Sequence, residues 1–226
     1  MLIFSLICSL FINKKKNYTD NSRFYRALLR AWLKVIIFLC RIRLHITGSE
    51  FIPRDRKYVM VANHRSIFDP IVALRALEDD EIIFISKPEN YKIPIVGSIL
   101  IRCGFVSIDR ESPRNSMRTV FDTAKLVKEE KFSVGVYPEG TRNHTDDPLI
   151  PFHNGMFKIA QMSAAPILVV ATRNTEKVLK NALRRGTDVY LNIAGLIPPE
   201  EIVGRPTAEI GEKVREMMLE TLERGD

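Results

Sequence analysis

Tyr58-Val-Met-Val-Ala62 is a short apolar run rich in β-formers, Asn63-His64-Arg-Ser-Ile-Phe follows as a more polar turn, and Asp69-Pro70 opens a helix. Asp then Pro suits a helix start: the carboxylate accepts from free N–H groups, and proline needs no N–H in the first turn. Strand, loop and helix in that order form the repeating unit of an α/β sheet, and the unit recurs on both sides. Arg43–Thr47, Ile82–Ser86, Phe105–Asp109, Ser133–Tyr137, Ile167–Thr172 and Val189–Ile193 read as further strands. Helical patterns fall near 70–78, 94–102, 114–130, 155–163, 174–184 and 206–223. The alternation predicts a mostly parallel β-sheet flanked by helices.

In such sheets, sites collect outside the carboxyl ends of the strands. Four predicted strands deliver chemistry there: His64 and Asp69, Lys87, Asp109-Arg110, and Glu139-Gly140-Thr141-Arg142. His64 and Asp69 would lie about 140° apart on one continuous helix, so they meet only if the chain turns between them. If it does, Asp69 can hold His64 through Nδ1–H and leave Nε2 outward as a general base. That is the orienting logic of a catalytic triad without its serine, and no G-x-S-x-G elbow is present. A substrate that brings its own hydroxyl needs none. A structural histidine beside a helix cap is the plain alternative for this pair taken alone. Arg142, Arg110 and Lys87 suit a phosphate: Arg offers a planar fork of donors, Lys a point charge. Gly140 lets the backbone approach a ligand, and Glu139 can brace an arginine or bind a hydroxyl. Surface ion pairs are the plain alternative for each cation. No G-x-G-x-x-G or Walker loop occurs.

The 226 residues carry 34 Lys+Arg and 27 Asp+Glu, and the excess is not evenly spread. Residues 1–50 hold nine basic and two acidic residues, while 51–226 hold 25 of each. A nucleic-acid domain spreads basic residues over its folded body, so nucleic acid is not an expected partner. Cys8, Cys40 and Cys103 are odd in number, lie in apolar stretches and form no C-x-x-C pair, which reads as buried thiols in a reducing compartment. The four histidines form no H-E-x-x-H pattern, and no metal is expected.

Residues 1–12 are apolar except for two serines, but Lys14-Lys-Lys16 follows them, whereas a signal peptide carries its charge first. Twelve helical residues reach about 18 Å, short of a hydrocarbon core of roughly 30 Å. Residues 23–41 form an amphipathic helix pattern. Arg23, Arg26, Arg30, Lys34 and Arg41 fall within a stripe about 80° wide, with Trp32 opposite among Leu28, Val35, Ile36 and Leu39. A narrow cationic stripe on an apolar cylinder suits an interfacial helix whose stems snorkel to headgroups. A helix packed on the body with its stripe in water, and a tilted span, are the alternatives; Lys34 near the middle counts against the span. The chain therefore divides into an N-terminal helical membrane anchor, 1–42, and an α/β domain, 43–226. Deleting 1–41 is expected to abolish most membrane association and leave the site foldable.

With these residues in place, the chain resembles the glycerolipid acyltransferase family, in particular the 1-acylglycerol-3-phosphate acyltransferases. Asn63-His64-x4-Asp69 matches the family's N-H-x4-D; Gly104-Phe-Val-Ser-Ile-Asp109-Arg110 resembles its second motif; Tyr137-Pro-Glu-Gly-Thr-Arg142 matches its third in full, followed by Phe152-His-Asn-Gly155. Ala165-Pro-Ile-Leu-Val-Val170 resembles the fourth, with Val169 where the family usually has a second proline. The similarity covers roughly residues 43–195.

The resemblance implies transfer of a fatty acyl group from acyl-carrier protein or coenzyme A, as co-substrate and with no cofactor, to the sn-2 hydroxyl of lysophosphatidic acid, giving phosphatidic acid. It implies His64 as base, Asp69 as its support, and Arg142, with Arg110 and Lys87, as phosphate ligands beside Glu139, Gly140 and Thr141. It also implies membrane phospholipids as partners and the cytoplasmic face of the cell membrane as location. Ile93–Ile101 is a candidate wall for an acyl tunnel, an ordinary core helix being the alternative. A sibling acyltransferase acting on glycerol-3-phosphate, another lysophospholipid or an acylated amino-lipid shares the motifs. A non-catalytic basic membrane-surface module remains the alternative of a different class.

Overall fold

A computed structural model describes residues 1–109, 112–182 and 184–224. The N-terminal helices are α1 (Leu2–Leu10) and α2 (Arg23–Leu39). Seven strands follow: β1 (Ile42–Thr47), β2 (Val59–Ala62), β3 (Ile83–Ser86), β4 (Val106–Ser107), β5 (Val134–Val136), β6 (Ile167–Arg173) and β7 (Thr187–Ile197). Between and after them lie α3 (Asp69–Ala76), α4 (Val96–Arg102), α5 (Pro113–Lys128), α6 (Lys158–Ser163), α7 (Val178–Asn181) and α8 (Thr207–Arg224).

The strands form one sheet in the order β1-β7-β6-β2-β5-β3-β4. Every neighbouring pair is parallel except β6 and β7. The predicted α/β architecture is therefore the observed one. β2, β5 and β6 sit at the centre and are buried almost throughout, which is why they read as continuous apolar runs rather than alternating ones. β1 is an edge strand and mostly exposed.

β7 runs well past the predicted Val189–Ile193. Its antiparallel pairing with β6 continues to Ile197, beyond a register shift between Val169 and Val170. Because β7 runs against β6, its first residues and those of β1 lie at the carboxyl end of β6, the same edge that holds His64.

The helix pair at the N-terminus corrects the interfacial picture in part. Arg26 is buried, its guanidinium donating to the carbonyls of Ile82 and Cys103 at 2.8 and 2.9 Å and to Asn21 Oδ1. The rings of Phe105 and Phe132 lie 5.9 and 5.5 Å from the guanidinium. Arg30 donates to the Glu78 carbonyl. Trp32 is directed at α1, its indole N–H donating to Ser5 Oγ at 2.9 Å. Arg26 is thus held inside the body, and Arg30 and Trp32 are half-buried with protein partners: the carbonyls that claim the two arginines come from distant sequence. Arg23, Lys34 and Arg41 do stay exposed.

Leu28 and Leu33 of α2 belong to the same core as the sheet. Residues 1–42 therefore share the packing of the rest, and removal of 1–41 would strip the core and leave two buried carbonyls without Arg26. The outer surface of α1 exposes Leu2, Ile3, Phe4, Leu6, Ile7 and Leu10, and the two ends of α2 add Phe24, Phe38 and Leu39. Among the described residues, no helix is long and apolar enough to cross a membrane.

Candidate active site

β2 ends at Ala62, and the next residue locks the chain to β6. Asn63 Nδ2 donates to the Thr172 carbonyl at 3.0 Å, and Thr172 N donates to Asn63 Oδ1 at 2.7 Å. This two-way amide clasp fixes the exit of the chain from the sheet. The backbone then turns, and Asp69 returns its side chain toward His64.

His64 Nδ1 lies 2.8 Å from Asp69 Oδ2. The same oxygen accepts from Arg65 N and Ser66 N, both at 2.7 Å. The other oxygen accepts from the hydroxyls of Thr175 at 2.5 Å and Thr172 at 3.4 Å. Asp69 is thus the first residue of α3 rather than its cap, and its carboxylate serves the loop before the helix. The reason is that both its oxygens are already taken by His64, the Arg65 and Ser66 N–H groups and two threonine hydroxyls. Backbone N–H groups can only donate, so Oδ2 is an acceptor and His64 Nδ1 must carry the proton. Nε2 then presents its lone pair. Asp69 is fully buried, and the His64 side chain is 20% exposed. No protein group among the described residues bonds to Nε2.

The turn after β5 closes over the same histidine. His64 N donates to Glu139 Oε1 at 2.6 Å, and Asn143 N donates to the His64 carbonyl at 2.6 Å. Glu139 Oε2 accepts from Ile150 N at 3.2 Å. Burial pushes the Glu139 carboxyl above its ordinary range, and the two backbone donors pull it back only partly. The Tyr137 ring stacks on His64 with centroids 4.3 Å apart, and Phe84 stacks behind it at 5.5 Å. Gly140 takes a left-handed φ of +69°, and a Cβ there would approach the His153 ring to 2.6 Å. Both facts demand glycine.

Thr141 and Arg142 form the exposed tip of that turn. Arg142 precedes Asn143 and so stands one residue from a direct bond to His64. Lys87 is exposed at the end of β3, which borders β5. Arg110 lies outside the described residues. On the segment proposed to wall a tunnel, Ile99 enters the core while Ile93 and Val96 stay exposed.

Asn63, Tyr137 and Asn143 sit in or beside the sequence motifs, yet their roles were not read from them. Thr172 and Thr175 carried no local signal; the pairing of β2 with β6 brings them to Asp69.

A histidine held by a buried carboxylate, with its other nitrogen open, is an arrangement that can accept a proton from a hydroxyl. The acyltransferase family model matches residues 43–173, more than half the chain. This chain belongs to the acyltransferase family. The 1-acyl-sn-glycerol-3-phosphate acyltransferase of Borreliella burgdorferi is 28% identical to this acyltransferase over 198 residues, covering 87% of the chain and 78% of that protein. The human 1-acyl-sn-glycerol-3-phosphate acyltransferase alpha is 27% identical, covering 85% and 68%. The crystal structure of the 1-acyl-sn-glycerophosphate acyltransferase PlsC from Thermotoga maritima has the same fold, with a TM-score of 0.74 at 23% identity, covering 98% of this acyltransferase and 86% of that chain.

Proposed function

We propose that this acyltransferase moves a fatty acyl group from an acyl-carrier-protein or coenzyme A thioester to the sn-2 hydroxyl of lysophosphatidic acid, giving phosphatidic acid in phospholipid synthesis. The observation that carries the reading is the open Nε2 of a histidine whose Nδ1–H is bound to Asp69, with no nucleophilic side chain bonded to that nitrogen among the described residues. The names of the similar proteins in Borreliella burgdorferi and human supply the acceptor.

In the reaction, Nε2 takes the proton of the acceptor hydroxyl as its oxygen attacks the thioester carbonyl carbon. The tetrahedral adduct collapses by breaking the C–S bond, and the imidazolium returns its proton to the departing thiolate. Asp69 stabilises the imidazolium while it exists. General acid–base work of this kind contributes about 10²–10⁴-fold. Arg142, with Lys87 and Arg110, holds the acceptor phosphate; Gly140 and Thr141 shape the turn that presents Arg142, and Glu139 holds it against His64.

The apolar outer face of α1 and the ends of α2 rest in the acyl boundary of the cytoplasmic leaflet, with Arg23 and Lys34 at headgroup level. An acceptor that stays in the bilayer need not be extracted, which saves about 0.8 kcal/mol for each CH₂ kept in the acyl layer.

The test is an acyl-transfer assay of the purified full chain with coenzyme A and carrier-protein donors against a panel of acceptors. Strong preference for lysophosphatidic acid is expected. Preference for lysophosphatidylcholine, glycerol-3-phosphate or an amino-lipid would reassign the acceptor. Full activity in His64→Ala would defeat the mechanism.

A further inference from the structure

The neutrality of residues 51–226 conceals a local excess. Between Arg173 and Asp188 stand five basic residues and two acidic ones. This segment is the β6–α7–β7 connection, at the carboxyl end of β6, and Thr175 within it bonds to Asp69. It therefore borders the catalytic edge.

The fold brings one more exposed cation to it. Thr187 N donates to the Arg41 carbonyl at 3.1 Å. A Cβ on Gly186 would lie 2.8 Å from the Arg41 carbonyl oxygen and 2.5 Å from Arg43 Nη1, so the backbones meet closely there. Arg184 N and Arg185 N both donate to the Asn181 carbonyl and close the turn after α7. Arg41, Lys177, Lys180, Arg184 and Arg185 are all exposed. None has an ion pair among the described residues. Of the two acids, Asp188 is occupied by Arg43 and His45, and Glu176 is half-buried and in no ion pair with these cations among the described residues. Leu179, on α7 between Lys177 and Lys180, is 70% exposed. Phe38 and Leu39, three and two residues before Arg41, are 79% and 66% exposed.

Unneutralised cations around exposed apolar side chains, continuous with the apolar end of α2, have the composition of a surface that meets anionic headgroups and dips into the acyl boundary. We infer that the α7 segment, with Arg41, is a second contact with an anionic lipid surface, built into the α/β body and turning the His64 edge toward the bilayer. An acidic protein would be attracted by the same charges, but the continuity with Phe38 and Leu39 favours lipid. The inference rests on the reading that this enzyme works at a bilayer, and extends it from the N-terminal helices to the catalytic body.

The test uses the full chain and vesicles of either pure phosphatidylcholine or equal parts phosphatidylcholine and phosphatidylglycerol, with sedimentation as readout. The variant K180Q/R184Q/R185Q replaces exposed side chains only. Its partition onto the anionic vesicles is expected to fall by about 10–100-fold, the size of losing three cations near an anionic leaflet. Its binding to neutral vesicles, through α1 and α2, should not change. Leu179→Ser should weaken binding to both vesicles by roughly tenfold, as expected for a leucine that no longer enters the acyl boundary. In detergent, with a coenzyme A donor, the triple variant should keep wild-type turnover.

Equal binding of the triple variant and the wild type to anionic vesicles would overturn the inference and leave the N-terminal contact standing. Unchanged vesicle binding with a loss confined to carrier-protein donors would overturn it in favour of an acidic protein partner. A wild-type chain that sediments with neither vesicle would remove the bilayer reading itself, and this contact with it.

Discussion

The loop from Asn63 to Asp69 and the tip of the turn at Thr141-Arg142 face each other across the site, and they handle polarity in opposite ways. In the loop the Asp69 carboxylate is fully committed: it accepts from His64, two backbone N–H groups and two threonine hydroxyls. At the tip, Arg142 is exposed and has no ion pair among the described residues, although Glu139, three residues earlier, is buried and doubly bonded. On the proposed reading, the difference separates two tasks. The proton-transfer group must be fixed before substrate arrives, because misplacement costs rate. The phosphate ligand must be free until it arrives, because a cation already paired would have to exchange partners.

If that division holds, variants in the loop should change kcat and variants at the tip should change KM. His64→Ala is the strongest test: kcat should fall by about 10³-fold or more, at the upper range for general acid–base catalysis, with acceptor KM little altered. A loss confined to KM would break the division. Asp69→Asn comes next. The amide keeps the shape but turns an N–H₂ against donors, so kcat should drop by about 10²–10⁴-fold, as when a triad carboxylate is lost. Wild-type turnover would show that His64 needs no orienting partner.

Glu139→Gln tests the seam between the two regions. One of its two backbone donors would face an amide N–H₂, at a cost of about 1–3 kcal/mol in unfolding free energy, readable by denaturant titration. Burial raises the folded-state pKa of Glu139. Its protonation therefore adds stability that is fully present below the ordinary glutamate value and lost as pH rises through the folded value. The glutamine variant should lack that slope; a variant as stable as wild type, with the slope retained, would show that the carboxylate does not hold the turn. Arg142→Ala should be mildest: acceptor KM up by roughly tenfold, kcat nearly unchanged and stability unaltered. An unchanged KM would remove Arg142 from the phosphate site.

Much of this was legible in the sequence because its signals are local. Strand-loop-helix alternation marked all seven strands, and the motif residues His64, Asp69, Glu139 and Arg142 fall at strand ends. What was not legible depends on pairing between distant segments. Thr172 and Thr175 stand 103 and 106 residues from Asp69. The reach of β7 depends on how long β6 stays beside it. Arg26 fits a cationic stripe by helical period, yet the carbonyls that take it are 56 and 77 residues away. Periodicity sorts a helix into faces, but it does not say which face meets the body and which meets solvent or lipid.

The inward turn of Arg26 has a practical side for anyone wishing to prepare this enzyme without detergent. Much of the exposed apolar surface is on α1, which is tied to α2 through Trp32 with Ser5 and Tyr25 with Cys8, whereas contacts from the N-terminal segment to α4 begin at Tyr18, whose ring lies 4.6 Å from the Arg102 guanidinium, and at Asp20, which pairs with Arg102. The place to trim is therefore the polar run Asn13-Lys14-Lys15-Lys16, ahead of both. A chain starting there would shed its greasiest helix and still keep α2 bolted to the sheet.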